Sequence, residues 1–156
     1  MSSNLFYEAL SHCRWPATLQ SVLKDNFKTE DIEKYKNKSF DEIVFSVKNI
    51  CAPVNGVGQL MVYDISSAIF KHFGGNIDKV YLIGNGPRRA IKLLRITNIK
   101  TNTKIKFKYV EIEDVINAFD ANGHQLDENI KQTTNGDMVE SFLCKWQSKY
   151  EYKYSI

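Results

Sequence analysis

The sequence predicts a mainly α-helical fold, a helical bundle that includes one small β-hairpin near residues 96–110. Apolar residues recur at helical spacing along most of the chain, and the spacing changes to every second residue within 96–110. The length of 156 residues and the apolar content of 43% fit one packed domain. We therefore expect a single domain over residues 1–156.

Three helices are expected near the start of the chain, over residues 5–13, 17–26 and 29–37. Trp15 precedes Pro16, and a residue before proline avoids the helical conformation, so this pair should separate the first helix from the second. The third segment is charged and amphipathic, as a surface helix would be.

Two further helices should flank a glycine turn. Ser39 can cap a helix over residues 40–51, in which apolar residues recur at helical spacing until Pro53 ends the pattern. A second helix is expected over residues 59–73, because a Gly-Gly pair follows it. The turn between them, residues 55–58, reads Asn-Gly-Val-Gly. The order is therefore helix, glycine turn, helix.

The rest of the chain mixes short apolar runs with helices. Residues 80–83 predict a strand or a buried turn, and residues 87–94 predict a helix with proline in its first turn. Residues 111–119 predict a helix with acidic residues at its start, where the helix dipole favours them. Residues 127–136 look like a loop. Asp137 should then cap a last helix to about residue 150, with a stripe of core residues, Met138, Phe142, Leu143 and Trp146.

The predicted β-hairpin has one basic face. Ile105, Phe107 and Tyr109 alternate with lysines, and a Thr-Asn-Thr turn comes before them. Alternating residues lie on opposite faces of a strand, so the lysines should share the solvent face. These lysines are Lys104, Lys106 and Lys108.

Charge is segregated along the chain. Residues 51–110 carry ten basic and two acidic groups, a net charge of +8, whereas residues 111–156 carry four basic and nine acidic groups, a net of −5. A basic stretch of this kind is typical of a surface that binds a polyanion. The alternative is that the basic middle and the acidic end pair with each other in the fold.

The glycine turn resembles the hairpin of helix-hairpin-helix proteins, which grip the DNA backbone without reading bases. Gly56 and Gly58 flank one apolar residue, Val57, which the resemblance packs between the helices, with Val62 and Ile65 as the next inward positions. A helix that starts after such a turn offers free N–H groups to a phosphate. The resemblance covers residues 40–73 and implies a phosphate contact at Gly56, Val57, Gly58, Gln59 and Leu60. The alternative is a purely structural turn.

A second glycine turn partly repeats the first. Gly84 and Gly86 flank Asn85, and a helix with Arg88 and Arg89 in its first turns follows. Helix N–H groups and two arginines would form a phosphate clamp, with Lys92 on the same helix. The central residue of the motif should be apolar, and only a short run precedes this turn. A capped surface helix is therefore the alternative.

The resemblance extends to DNA glycosylases that carry this hairpin. These enzymes place an aspartate about twenty residues after the second glycine, and Asp78 stands at that distance from Gly58. It would stabilise positive charge on the sugar or activate water. The lysine nucleophile of bifunctional members has no counterpart, because Leu60 and Met61 stand there. A monofunctional activity is implied. The alternative is that Asp78 caps a loop.

A broader resemblance is to a family of uncharacterised bacterial proteins. Its members share a GxGxLxVYD hairpin, a VYL run and an acidic-FLC-aromatic close, which here cover roughly residues 40–85 and 138–146. The family has no assigned activity. It draws attention to Asp64, within the VYD of the hairpin, as a second candidate acid. The alternative is a buried polar anchor.

Other functional classes have little support. Cys13, Cys51 and Cys144 are odd in number and widely spaced, which fits a reducing compartment and three buried apolar side chains. The histidines show no zinc spacing, so no metal and no cofactor are expected. No apolar run is long enough to span a bilayer, and the first residues do not resemble a secretory signal, so a cytoplasmic protein is expected.

The sequence therefore predicts binding to nucleic-acid backbone, DNA rather than RNA, with weak sequence specificity. Two alternatives stay open. One is a glycosylase that uses Asp78. The other is a protein-interaction module in which the hairpin is only structural and the acidic end or an exposed apolar patch meets a protein partner. The sequence does not indicate an oligomeric state.

Overall fold

The computed structural model describes residues 25, 27 and 32–154, with side chains up to residue 150. The chain divides into two compact units, Met1–Gly75 and Asn76–Ile156. The expectation of a single domain stays a prediction. The helices expected over residues 5–13 and 17–26 lie outside the described residues, apart from single positions.

The first unit contains two packed α-helices. A 3₁₀ turn, Glu33–Tyr35, precedes α1 (Phe40–Cys51), and α2 (Gln59–His72) follows the glycine turn. The 3₁₀ turn occupies part of the third expected helix. Both α-helices begin where the sequence predicts, and their ends lie within one residue of the expected bounds. The predicted order of helix, glycine turn and helix is therefore confirmed.

Local chemistry explains the boundaries of these helices. The Ser39 hydroxyl accepts the Glu42 N–H at 3.2 Å, which satisfies a free donor at the start of α1. After α2, Gly74 adopts a φ of +80°, a conformation that other residues rarely take, and its N–H donates to the Lys71 carbonyl at 2.9 Å. Helix α2 therefore ends at the Gly-Gly pair, through a glycine in the left-handed conformation.

The two helices of the first unit bury a shared apolar face. The Phe40 ring meets the Tyr63 ring edge-on at 5.9 Å between centroids, and it also contacts Phe70 at 5.7 Å. The fully buried apolar side chains on α1 and α2 are Ile43, Val44, Val47, Ile65 and Ile69. Periodic burial of this kind is what the sequence pattern predicts.

The second unit contains a three-stranded antiparallel sheet and four helices within the described residues. The strands are β1 (Lys79–Tyr81), β2 (Lys100–Thr101) and β3 (Lys108–Glu111), and β3 lies between the other two. The helices are α3 (Asn85–Leu93), α4 (Ile112–Ala121), α5 (Glu128–Lys131) and α6 (Gly136–Tyr154). The chain is mainly helical with a small sheet, as predicted.

One apolar cluster joins the sheet to the helices of the second unit. It contains residues from β1, β3 and all four helices, and most of them are almost fully buried. Its members include Val80, Val110, Ala90, Val115, Phe119, Ile130, Val139 and Leu143. Helix α6 packs against both α3 and β1. Burial of this cluster is the main favourable contribution to folding of the unit.

Three expectations for the second unit need correction. The expected loop over residues 127–136 contains the short helix α5, which is too short to show a helical pattern. The cap of α6 is Asn135, whose side-chain oxygen accepts the N–H groups of Asp137 and Met138 at 3.0 and 3.1 Å. Of the expected stripe on α6, Leu143 is fully buried and Phe142 and Trp146 pack against the cluster. Met138 is 41% exposed, however, and Val139 is buried in its place.

The β-hairpin is shorter than its alternating pattern suggests. Ile105 and Phe107 are buried, and the three lysines between and beside them are exposed, as expected. The backbone from residue 102 to residue 107 is nevertheless a turn, and Lys106 has a φ of +65°. Alternation of burial therefore arises here from a folded loop, and only residues 100–101 and 108–111 form strands.

Candidate nucleic-acid interface

The glycine turn of the first unit leaves the start of α2 open to solvent. Gly56, Gly58, Gln59 and Leu60 are exposed, and Val57 is half-buried. The N-cap residue is Gly58, which has no side chain to accept the first N–H groups of α2, and no acidic residue lies in the first turn. This is the arrangement that an anion at a helix N-terminus requires.

The two glycines of this turn have different roles. Gly56 has a φ of +90°, so its left-handed conformation explains the glycine. Gly58 has a φ of −98°, which any residue can adopt, and a Cβ there would meet no atom within 4 Å. The turn therefore needs glycine at position 56 but not at position 58. What glycine provides at that position is an uncovered backbone.

Two of the three expected inward positions of the hairpin are buried, whereas Val57 is half-buried. Val62 is 6% exposed and Ile65 is fully buried. The segment from Asn49 to Tyr63 carries no charged side chain, so any attraction for an anion at the turn comes from backbone dipoles.

The second glycine turn opens α3. Gly84 is the N-cap with a φ of +90°, and α3 starts at Asn85. Gly86 has a packing role, because a Cβ there would lie 2.7 Å from the Cys144 Sγ and 3.3 Å from the Cys144 Cβ. The missing side chain lets α3 approach α6 closely. A phosphate contact at Gly84 and Gly86 stays a prediction.

The basic side chains of α3 are exposed. Arg88, Arg89 and Lys92 all lie on the solvent side of the helix. The Arg88 Nε donates to the Leu82 carbonyl at 3.1 Å, which holds this side chain beside the turn that precedes the helix. The guanidinium of Arg88 has further N–H groups besides Nε, which can serve other acceptors.

A buried asparagine shapes the loop that carries the lysines. Asn102 is 8% exposed, and its side-chain oxygen accepts the N–H groups of Lys104 and Ile105 at 3.0 and 3.3 Å. Its Nδ2 donates to the Tyr81 hydroxyl at 3.2 Å. Its backbone also bonds to Phe107 and Lys106 at 2.8 and 2.7 Å. Asn102 therefore fixes the loop, and sequence reasoning missed it because a Thr-Asn-Thr turn has no distinctive signal.

Most exposed cations of the basic middle have no acidic partner. Within the described residues, an ion pair between Lys100 and Glu111, at 3.4 Å, joins this stretch to the acidic end. Six exposed basic residues of this stretch form no ion pair within the described part of the chain: Arg88, Lys92, Arg95, Lys104, Lys106 and Lys108. Internal ion pairs therefore leave these six positive charges exposed to solvent.

The two candidate acids lie in different units. Asp78 is exposed in the segment before β1, in the second unit, whereas the hairpin belongs to the first. Asp64 is half-buried in α2 between two buried residues, Tyr63 and Ile65. Neither position reveals a catalytic environment. A glycosylase role for Asp78 and a role for Asp64 stay predictions.

The described cysteines are not poised for chemistry. Burial raises the pKa of Cys51 to about 11. Burial, the charge of Glu140 and a hydrogen bond from the Cys144 thiol to that carboxylate at 3.3 Å raise the pKa of Cys144 to about 12. Both thiols are therefore protonated at neutral pH, and the thiolate that a nucleophile or a metal ligand needs is scarce.

The described residues contain neither a metal-binding cluster nor a membrane-spanning helix. No group of three or more His, Cys, Asp or Glu side chains there is placed to hold a metal ion. No helix in that part of the chain has the length and apolar character needed to cross a bilayer.

Comparison with known proteins found no matching family model, no matching curated protein and no matching solved structure. The resemblances to helix-hairpin-helix proteins, to glycosylases and to the uncharacterised bacterial family therefore stay predictions from sequence.

Proposed function

We propose that the protein binds the backbone of nucleic acid, DNA in preference to RNA, with weak sequence specificity. The observation that carries this proposal is the set of six exposed cations between residues 88 and 108 that form no ion pair within the described residues. Phosphate contacts by lysine and arginine supply most of the affinity in binding of this kind, and they carry no sequence information directly. Two of the cations, Lys104 and Lys106, lie on the loop that Asn102 holds in shape, and Lys108 begins β3 directly after it.

The glycine turn of the first unit would add a phosphate contact made by uncharged backbone N–H groups. Its support is the exposed start of α2, where neither a side chain nor a negative charge competes for the N–H groups. We assign the contact to Gly58, Gln59 and Leu60.

The cation contribution is tested by a salt series with short DNA duplexes and single strands. Binding measured by fluorescence anisotropy should weaken steeply as salt is added. In a triple variant, Lys104→Ala with Lys106→Ala and Lys108→Ala, the slope of log K against log salt should fall by about 2 to 3, roughly 0.9 per lost phosphate contact. The matched control removes the same charge from the first unit, at Lys34, Lys36 and Lys38.

The control should bind nearly as the native protein does. Equal losses in the two triple variants would mean that only net charge matters, and affinity that does not change with salt would refute the proposal.

The hairpin contribution is tested by Gly58→Asp. Aspartate is a favourable N-cap, and a Cβ at this position meets no atom within 4 Å, so the variant should stay folded by circular dichroism. Its carboxylate would occupy the first N–H groups and repel phosphate. We expect an affinity loss of at least about tenfold, or 1.4 kcal/mol. Gly58→Asn caps the same groups without the charge and should lose less.

Native affinity in a folded Gly58→Asp variant would show that the turn is structural. If the native protein fails to bind nucleic acid even at low salt, a protein-interaction module becomes the better candidate. One observation favours that candidate: Phe45 on α1 and Leu60 on α2 are 60% and 50% exposed. Large exposed apolar side chains are common in protein interfaces.

A further inference from the structure

A cavity of about 520 Å³ lies in the second unit between α4, the loop that follows it, and α5. Its volume is in the range of small-molecule sites. Leu126 and Ile116 give it an apolar part, and Leu126 is 8% exposed. The polar lining includes Asp120, Asp127 and His124. The basic residues assigned above to nucleic-acid binding do not line this cavity.

The two aspartates of the cavity are available to a ligand. Within the described residues neither carboxylate takes part in a hydrogen bond or an ion pair. Asp127 occupies the N-cap position of α5, where an aspartate side chain usually accepts a backbone N–H. The side chain of Asp127 makes no such capping bond. Lys131, the cation of the lining, bonds to Glu128 at 3.4 Å. The cavity is therefore acidic within a basic protein.

The wall at His124 is held in place by aromatic packing. The ring lies edge-to-face with Trp146 and Tyr150, at 5.5 and 5.6 Å between centroids, and also contacts Phe119 at 6.0 Å. The backbone N–H of His124 donates to the Phe119 carbonyl at 2.9 Å. Three rings and a backbone bond thus fix this wall before any ligand arrives, which reduces the entropy cost of binding.

We propose that this cavity binds a small aliphatic cation that carries one or two ammonium groups. The carboxylates of Asp120 and Asp127 would accept its N–H groups, and Leu126 and Ile116 would contact its methylene groups. A neutral molecule would leave both carboxylates without a charged partner, and an anion would be repelled. The lining amides, Asn117 and Gln125, can serve its remaining donors.

The probe is 1,4-diaminobutane, titrated into the full chain by calorimetry at physiological ionic strength. Three ligands of similar length separate charge from shape: the diamine, neutral 1,4-butanediol and the dianion succinate. We expect saturable binding of the diamine alone. In the double variant Asp120→Asn with Asp127→Asn, the Kd should rise by at least about tenfold, because two charged partners become neutral. Both side chains are exposed, so the variant should fold.

The matched control is Glu113→Gln with Asp114→Asn, which removes the same charge from α4 outside the cavity. It should bind the diamine as the native protein does. No saturable binding, equal binding of butanediol, or equal losses in the two double variants would each overturn the proposal. The result is independent of nucleic-acid binding, because no residue of the proposed interface is changed.

Discussion

Gly136→Ala is expected to lower the free energy of unfolding of the second unit by about 3 kcal/mol or more. Gly136 is the first residue of α6, and its N–H donates to the Ile77 carbonyl at 2.6 Å. An added Cβ would overlap the carbonyl group of Lys79 and lie 2.9 Å from its N atom. Backbone atoms cannot rotate aside, so α6 and β1 would have to separate.

Urea denaturation followed by circular dichroism measures this loss. Intrinsic propensity points the other way, since alanine favours a helix over glycine by about 1 kcal/mol, so destabilisation can only come from the overlap. The control is Gly58→Ala, at an exposed site where a Cβ meets nothing within 4 Å. That change should cost about 1 kcal/mol or less, as expected at an N-cap. Similar midpoints for the two variants would refute the packing argument.

Asn102→Ala is expected to cost about 2 to 4 kcal/mol, because it removes three side-chain hydrogen bonds from a buried site. The N–H groups of Lys104 and Ile105 lose their acceptor, and the loop loses its shape. The lysines would remain but their arrangement would not. We therefore expect weaker nucleic-acid binding at unchanged net charge, as well as a lower urea midpoint.

Asn98→Ala is the matched control for this variant. Asn98 is exposed, and its Nδ2 bonds to Asp114 at 3.3 Å, so its removal should change stability by about 0.5 kcal/mol or less. Unaltered stability of Asn102→Ala would show that the loop does not depend on its asparagine. Lower stability with unaltered DNA affinity would show that the shape of the lysine loop is irrelevant to binding.

The features that sequence predicted correctly are those with local causes. Ser39 caps α1 through its own hydroxyl, and the left-handed Gly74 ends α2, so each can be read from a few neighbouring residues. The exposure of alternate lysines in the loop after residue 102 is likewise local. Each of these signals depends on residues within one turn or one strand of each other.

The features that sequence missed have distant or ambiguous causes. Position 136 requires glycine because the backbone around Lys79, more than fifty residues away, leaves no room for a Cβ. Position 86 requires glycine because Cys144 lies against it. Met138 rather than Val139 was expected in the buried stripe of α6, since both are apolar and the helical pattern accepts either. The lining of the cavity comes mainly from α4 and the loop after it, and nothing in the spacing of Asp120 and Asp127 indicates a concave surface.

The contacts around Gly136 set an order of assembly for the second unit during synthesis. Asn76 bonds to the Thr134 carbonyl, and Ile77 to Gly136, so the two ends of a long segment meet. Val139 and Leu143 then complete the cluster that includes Val80. A nascent chain that stops before α6 exposes that apolar surface. The unit can therefore close only after translation has passed residue 143, whereas α1 and α2, adjacent in sequence, can pair much earlier.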